Sequence, residues 1–523
     1  MPKYTLMQHQ TEGVKFLDDM DGIAALLFDP GVGKTGTTLA WVDRQAQGRE
    51  FRVLVFAPLT AADTWVLQAP PFMDSVVKAR MMQGSTASIL VKMAQARQWA
   101  DVPDAHIMVN HPGTRATQVS GNKVTILSVS AGAVSTWCSE RRKTVQMIQA
   151  IRRYAPHLIV VDESHIIKSA TAQISTALYQ FGQLAPHRII LTGTVAPHSP
   201  LDVYGQWRFL APWTFSDAHG EKFTKRPLKM TENQRKSIRP WPWHRFRLRY
   251  AQLGGYQGKA IIGMDPVMEK ELHARVAERS MVVKKEDALD LPPVQDVDVH
   301  VTLSPREHRA YEEMRKELAA QLDSGELIEA PNALAKMMKL RQIAAGFVKD
   351  TETGQVHVVG SSLRKAVKEI IEVTLAGEKR VVVFAYFRSE CNLLTEALKS
   401  KGVTVELITG QTPARERLAI RQRFADVSGN PERTILVAQA RTMSLSVNEL
   451  VTAQNAVFAS MSERRDDWVQ ARGRLDRNGQ TGSHVTFWNC YSPGLIGEIM
   501  LNRHKDKGDL EKALLDHIRA TPR

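Results

Sequence analysis

Short apolar runs bounded by turn or polar residues alternate with stretches of helical composition along most of this chain. In the first half, AALLF (24–28), RVLVFAP (52–58), KVTILSVS (123–130), HLIVVDE (157–163) and RIILTGT (188–194) each have the length and β-branched content of a buried strand. That alternation predicts a parallel sheet wrapped by helices, with any ligand site beyond the carboxyl ends of the strands. A second series, VDVHVTL (297–303), RVVVFAYF (380–387), VTVELITG (403–410), TILVAQA (434–440), NAVFAS (455–460) and HVTFWN (484–489), repeats the pattern, with helical stretches such as SPREHRAYEEMRKELAAQL between the runs. The expectation is an α/β protein of two tandem lobes, 1–212 and 296–523. Between them a linking or accessory region, 213–295, shows no strand alternation.

That intervening region is basic and aromatic. Between Lys222 and Arg249 ten Lys or Arg accompany one acid, Glu232, interleaved with Trp241, Trp243 and Phe246. Such a mixture suits a solvated loop packed by its tryptophans. It equally suits a nucleic-acid surface on which Arg245 and Arg247 hold phosphates and the aromatics stack on bases.

The whole-chain numbers bear on these alternatives. At 523 residues, 43% hydrophobic and 24% charged, the chain is globular and has room for two to four domains. Lys plus Arg number 69 and Asp plus Glu 55, a net charge of +14, which favours a polyanionic partner. No apolar run approaches the roughly 20 residues of a spanning helix, which makes nucleic acid a better partner than membrane. MPKYTLMQHQ has no apolar export signal, and Cys138, Cys391 and Cys490 form no close pair. A reducing, intracellular setting is expected: cytoplasm for a bacterial or phage protein, nucleus for a eukaryotic one.

Two stretches carry recognisable chemistry. DPGVGKT follows an apolar strand directly. Gly31 and Gly33 would let backbone N–H groups approach phosphates, Lys34 would reach the β and γ phosphates, and the Thr35 hydroxyl would ligate Mg²⁺ at the start of a helix, GTTLAWVDRQAQ. Phe28 stands where the usual phosphate-loop pattern has its outer glycine. HLIVVDESH ends a strand in Asp162 and Glu163, one carboxylate suited to Mg²⁺ and the other to orienting or deprotonating water. ATP and Mg²⁺ are the expected cofactors.

At this point the chain resembles the superfamily 2 helicase-like ATPases, specifically the Swi/Snf-type DNA translocases. LMQHQTEGVKFL (6–17) is similar to that family's adenine-sensing motif, with Gln10 as its glutamine. VLVFAPLTAADTW (53–65) resembles motif Ia, which implies that Thr60 touches a DNA phosphate. DESH is similar to motif II, and LTGT (191–194) to motif III; the resemblance gives His165, Thr192 and Thr194 the task of coupling hydrolysis to DNA. In the second series VVVFAYFRSE (381–390) resembles motif IV. QARTMSLSVNEL (439–450) resembles motif V, with Arg441 and Thr442 at DNA and with Met443, Ser444 and Ser446 where the family has more glycine. WVQARGRLDRNGQT (468–481) resembles motif VI, implying that Gln470 touches the nucleotide and that Arg474 and Arg477 act on the γ phosphate. Their spacing predicts that Gln470, Arg474 and Arg477 share one helical face.

DESH, VAPHSPLDVYGQWRFLAP (195–212) and FRLRYAQLGGYQGK (246–259) followed by EKELHARVAERSMVVKKEDALDLPP also look like the annealing-helicase, fork-remodelling branch, with Val195 in place of its usual proline. The resemblance implies two RecA-like lobes with ATP in the cleft between them, catalysis by Lys34, Glu163, Arg474 and Arg477, duplex or branched DNA as the track, and a monomer. A strand-separating DNA or RNA helicase would carry the same motor motifs. A clamp that binds ATP without turning it over would not need Glu163 and the paired arginines.

Overall fold

The computed structural model describes residues 5–47, 49–82, 85, 87–90, 92–93, 123–138, 140–193, 199–217, 238–254, 260–323, 330–429, 432–443, 449–480 and 482–506. They fall into two compact units, Met1–Leu289 and Asp290–Arg523. Among the described residues no helix is long and apolar enough to cross a membrane, and Cys138, Cys391 and Cys490 are free thiols.

Unit 1 is built on strands β1 (Ile23–Phe28), β2 (Glu50–Ala57), β3 (Val76–Met82), β4 (Lys123–Ser130), β5 (Leu158–Asp162), β6 (His187–Leu191) and β9 (Ser280–Val283), in the order β3-β4-β2-β5-β6-β1-β9. Every pairing is parallel. Successive residues of each central strand enter different cores: Ile23, Ala25, Ile159 and Val161 on one face, Ala24, Leu26, Phe28, Leu158 and Val160 on the other. A strand covered on both faces favours apolar side chains at successive positions, which is why β1 and most of β5 are continuous apolar runs. Helices α1 (Gln8–Asp19), α2 (Lys34–Gln45) and α3 (Leu59–Phe72) position the site described below.

The described part of 213–289 is not a separate region; it packs into unit 1. Trp213, Phe215, Trp241, Phe246 and Tyr250 share a core with Trp207 and Phe209. The guanidiniums of Arg188 and Arg279 each lie 5.4 Å from the Trp213 ring. Glu271 gathers Arg249 (2.6 Å), Arg275 (2.9 Å) and the Tyr250 hydroxyl (2.9 Å). The chain then returns to the sheet as β9, parallel to β1 with Ala25 opposite Ser280. An antiparallel pair, β7 (Ala251–Gly254) with β8 (Ala260–Met264), also lies in this stretch. Strands of four and five residues among basic helices leave no readable alternation, and the expected boundary therefore moves from Trp213 to Leu289.

Unit 2 repeats the plan with β10 (Val294–His300), β13 (Arg380–Ala385), β14 (Val403–Ile408), β15 (Arg433–Gln439), β16 (Asn455–Phe458) and β17 (Val485–Tyr491), all parallel, in the order β10-β17-β16-β13-β15-β14. A small hairpin, β11 (Phe347–Lys349) with β12 (Val356–Val358), stands apart from this sheet. Val382 and Phe384 enter one core, Val381, Val383 and Ala385 the other. Parallel sheets with helices on both faces match the α/β class expected for each lobe.

One buried acid makes unit 2 pH-sensitive. Glu390 Oε2 accepts from Ser460 Oγ (2.7 Å) and from the Phe387 N–H (3.3 Å), while Oε1 is buried without a hydrogen-bond partner. Burial pushes its carboxyl up to about 7. The folded pKa lies above the unfolded one, so stability is full below about pH 4.5 and falls as pH rises from there through 7, a total on the order of 3 kcal/mol. Glu390→Gln is expected to raise the thermal midpoint by several degrees at pH 8 and little at pH 4.5. An equal shift at both pH values in thermal unfolding would show that ionisation is not the cause.

Candidate nucleotide site

The phosphate loop grows out of the carboxyl end of β1. Phe28 is fully buried, so its ring closes the core while its carbonyl, at the strand end, accepts from Lys34 Nζ at 2.8 Å; the Asp29 carbonyl lies 3.3 Å from the same ammonium. The absent outer glycine is thus explained by a position whose side chain serves packing and whose backbone serves the lysine. Asp29 fixes the turn: its N–H donates to Val283 O (3.0 Å), and its Oδ2 accepts from the Lys285 N–H (3.0 Å). The strand β9 that the sequence pattern did not reveal therefore buttresses the loop.

Gly31 and Gly33 take φ of 88° and 91°, values that L side chains rarely adopt. A Cβ on Gly33 would also lie 2.2 Å from Gln10 Nε2. Gln10 reaches the Gly33 carbonyl at 3.4 Å with Nε2 and accepts from the Met7 N–H at 2.9 Å. Its neighbour His9 is buried and lies 2.8 Å from Val32 O. A carbonyl can only accept, so His9 Nε2 carries the proton and braces the loop. Thr35 is half-buried in the first turn of α2.

Asp162 ends β5 and is buried. Its Oδ1 accepts from the Glu163 N–H and its Oδ2 from Trp65 Nε1, both at 2.9 Å. Burial, then the charge of Glu163, pushes Asp162 up to about 6; the Trp65 donor and the Lys34 ammonium oppose the rise. Glu163 adopts φ 50° and ψ 55°, a left-handed conformation that costs a non-glycine residue on the order of 1 kcal/mol and that ends the strand abruptly. Its Oε2 lies 3.4 Å from His165 Nδ1. Ser164 Oγ donates to Gln206 Oε1 at 2.6 Å, and a Cβ on Gly205 would stand 2.0 Å from Ile167 O, so the helix Val203–Leu210 is packed directly onto the DESH turn. Thr192 is buried at the end of β6, its N–H directed at Leu26 O (3.3 Å), and a Cβ on Gly193 would be 3.0 Å from Pro30 Cδ. Thr194 lies outside the described residues.

In unit 1, then, the carboxyl ends of β1, β5 and β6 gather Lys34, Asp162, Glu163 and Thr192. These groups fit Mg²⁺ and a polyphosphate. The left-handed loop and the α2 N-terminus favour an anion. In Asp162 beside Glu163, burial and the neighbouring charge both disfavour the ionised carboxylate, a cost that a bound divalent cation would offset. Trp65, His9, Gln206 and Gly205 were not singled out from the sequence. The available signal was only that a fully buried tryptophan needs a partner for its N–H.

In unit 2 the motif VI helix runs Arg465–Arg472 and stops at Gly473. Gln470 is on it; Arg474 and Arg477 follow in turns, so the three do not share a helical face. The helix stops after Arg472, whose side chain is held bidentately by Asp296, with Nη2 at 2.8 Å from Oδ2, and lies over the rings of Trp468 (4.5 Å) and Phe487 (4.0 Å). Arg474 is buried. Desolvation brings the Arg477 guanidinium down to about 10, with Glu449 opposing. Arg441 is exposed and Thr442 Oγ1 donates to Gln439 O at 2.8 Å. Gln439 itself donates to Tyr386 O (3.0 Å) and accepts from the Gly410 N–H (3.2 Å), tying together the ends of β13, β14 and β15.

Of the two readings of the basic aromatic stretch, its described part fits packing by its own tryptophans. Trp241 and Phe246 are buried, and Trp243 packs against Tyr204 (5.2 Å) and Phe246 (5.7 Å). Arg245 is exposed but paired bidentately with Asp217 (2.9 and 2.5 Å), and Arg247 is half-buried. Apolar ring faces gain more from the core of unit 1 than from solvent. Residues 218–237 lie outside the described set.

A glycine loop after β1, a paired-carboxylate strand end after β5 and a second parallel α/β unit with a buried Arg474 are the features of the helicase-like class of nucleotide-binding fold. Comparison with known proteins refines that class: the model of the SNF2-related domain matches residues 9–346, and that of the helicase conserved C-terminal domain matches residues 362–479. The chain belongs to the SNF2-related family. It is similar to the DNA annealing helicase and endonuclease ZRANB3 of Mus musculus, 23% identical over 514 residues, covering 95% of this chain and 40% of that one. It is also similar to the SWI/SNF-related matrix-associated actin-dependent regulator of chromatin subfamily A-like protein 1 of Xenopus laevis, 22% identical over 487 residues, covering 91% and 41%. A solved Sulfolobus solfataricus SWI2/SNF2 ATPase core in complex with dsDNA aligns over 99% of this chain and 97% of that one at 18% identity, with a TM-score of only 0.38. The chain thus spans about two fifths of the length of these two curated relatives.

Proposed function

We propose that the chain is an ATP-driven DNA translocase or remodelling motor that hydrolyses ATP on duplex or branched DNA. The observation that carries this reading is the convergence of Lys34, Asp162 and Glu163 at one edge of the unit 1 sheet, in a member of the SNF2-related family. Lys34, Thr35 and Asp162 would hold MgATP, and the bound ion would offset phosphate charge. Glu163, turned out of the strand by its left-handed backbone, takes a proton from the attacking water. Arg474 and Arg477 stabilise charge on the transferred phosphoryl. Gln10 and Gln470 contact the nucleotide; Thr60, Arg441, Thr442, Arg245 and Arg247 contact DNA, and His165, Thr192 and Thr194 couple the two.

Phosphate release measured side by side with single-stranded, duplex and forked DNA tests this. Stimulation by duplex or forked DNA is expected to exceed that by single strands, and no stimulation by any of them would overturn the reading. If six phosphates are neutralised by basic side chains, DNA affinity should fall about a thousandfold between 50 and 200 mM salt. A flat salt dependence would give the +14 charge another role. Displacement of a third strand without opening of the duplex would separate a translocase from a strand-separating helicase.

A further inference from the structure

Helix α3 touches the nucleotide site at two places and begins at a third. Its first turn, closed by the Ala61 and Ala62 N–H groups on Pro58 O (2.9 and 3.0 Å), follows directly from β2 and contains Thr60. About 8 Å along the helix, Trp65 donates to the Asp162 carboxylate. About 18 Å along, Phe72 packs so closely on the phosphate-loop helix that a Cβ on Gly36 would lie 2.4 Å from its ring. Just beyond, the Ser75 N–H donates to Asp43 of α2 at 2.9 Å. Trp65 is fully buried, so its ring has no room to swing and its N–H has a single direction.

We propose that Trp65 is a positioning residue for Asp162, and that the first two turns of α3 relay DNA engagement at the first turn to the Mg²⁺ carboxylate. The indole N–H occupies one lone pair of Oδ2 and the Glu163 N–H one of Oδ1. Those two bonds fix the carboxylate plane and with it the lone pairs that remain for the ion. A shift of the first turn of α3 moves Trp65, because an unbroken helix transmits displacement along its axis where a loop would absorb it, whereas Phe72 lies beyond Pro70 and Pro71, which remove two bonds of the ladder. The second part rests on the motor reading above; the first does not.

Trp65→Phe keeps the apolar ring and removes the donor. Two readouts on the full chain decide the matter: the affinity for ATP carrying a methylanthraniloyl fluorophore, in Mg²⁺ and in EDTA, and the stimulation of phosphate release by duplex DNA. The gain in nucleotide affinity on adding Mg²⁺ is expected to fall about tenfold, with the EDTA value unchanged, and DNA stimulation is expected to fall by a similar factor. An unchanged Mg²⁺-dependent gain overturns the positioning role. A reduced gain with full DNA stimulation overturns the relay. Should Trp65→Phe fail to fold, the benzothienyl analogue of tryptophan at position 65, which exchanges only the N–H for sulfur, answers by the same readouts. Absence of DNA stimulation in the unaltered chain would sink the motor reading, while the affinity ratio would still report on Trp65.

Discussion

Glu163→Gln is expected to lower DNA-stimulated ATP hydrolysis about a thousandfold while nucleotide affinity stays near that of the unaltered chain. A positioned general base is worth roughly two to four powers of ten. The substitution removes the base, and with it the negative charge that faces His165 Nδ1 at 3.4 Å and helps raise Asp162. Gln keeps the side-chain volume. The backbone at 163 holds its left-handed turn through the Glu163 N–H bond to Asp162 Oδ1, a bond the side chain does not make. Lys34→Ala should abolish turnover too, but for a different reason, since the ammonium on the Phe28 and Asp29 carbonyls is the charge meant for the phosphates and its loss should weaken nucleotide binding as well. Steady-state phosphate release at saturating ATP and duplex DNA, with nucleotide titrations, separates the two variants. Turnover within a few-fold of the unaltered chain in either one would refute the site.

Arg474→Gln and Arg477→Ala should each lower the maximal rate about a thousandfold or more, again with ATP affinity largely retained. Arginines that meet charge only as it develops in phosphoryl transfer contribute on this scale. The structure adds a reason. Arg474 is buried and Arg477 half-buried, and desolvation lowers the Arg477 guanidinium, so both cations have already lost part of their water. A charge prepared in this way interacts strongly with an anion and needs little reorganisation. Desolvation lowers the Arg477 guanidinium but leaves it cationic, so its charge should impose no fall in rate between pH 7 and 9. Thermal unfolding of each variant distinguishes a lost catalytic charge from a disturbed unit 2. Rates reduced less than tenfold, with normal stability, would remove these arginines from the mechanism.

Much of this was legible in the chain itself. The strands at 24–28, 157–163 and 380–387 were readable because covering both faces of a sheet forces four or more consecutive apolar residues. The motifs were readable because phosphate, Mg²⁺ and water demand particular residues at fixed offsets from a strand end. β9 was not, since four residues, Ser280–Val283, carry no period. Nor was the fate of the basic aromatic stretch, where Trp241 and Phe246 had two plausible uses until the core that buries them was known. The helical spacing of Gln470, Arg474 and Arg477 misled because it assumed a helix that ends at Arg472.

The sequence alone thus determined the two parallel α/β units, the phosphate loop after β1 and the acidic pair after β5, all of which follow from neighbours within one element. Tertiary structure alone decided how those groups are held. Trp65 meets Asp162 across 97 positions, Arg472 meets Asp296 across 176, and the Lys285 N–H meets Asp29 across 256. Local periodicity reports which face of an element is apolar. It contains no information about which distant donor a buried carboxylate will find, because that choice is made only when the elements pack and every buried polar group must be satisfied.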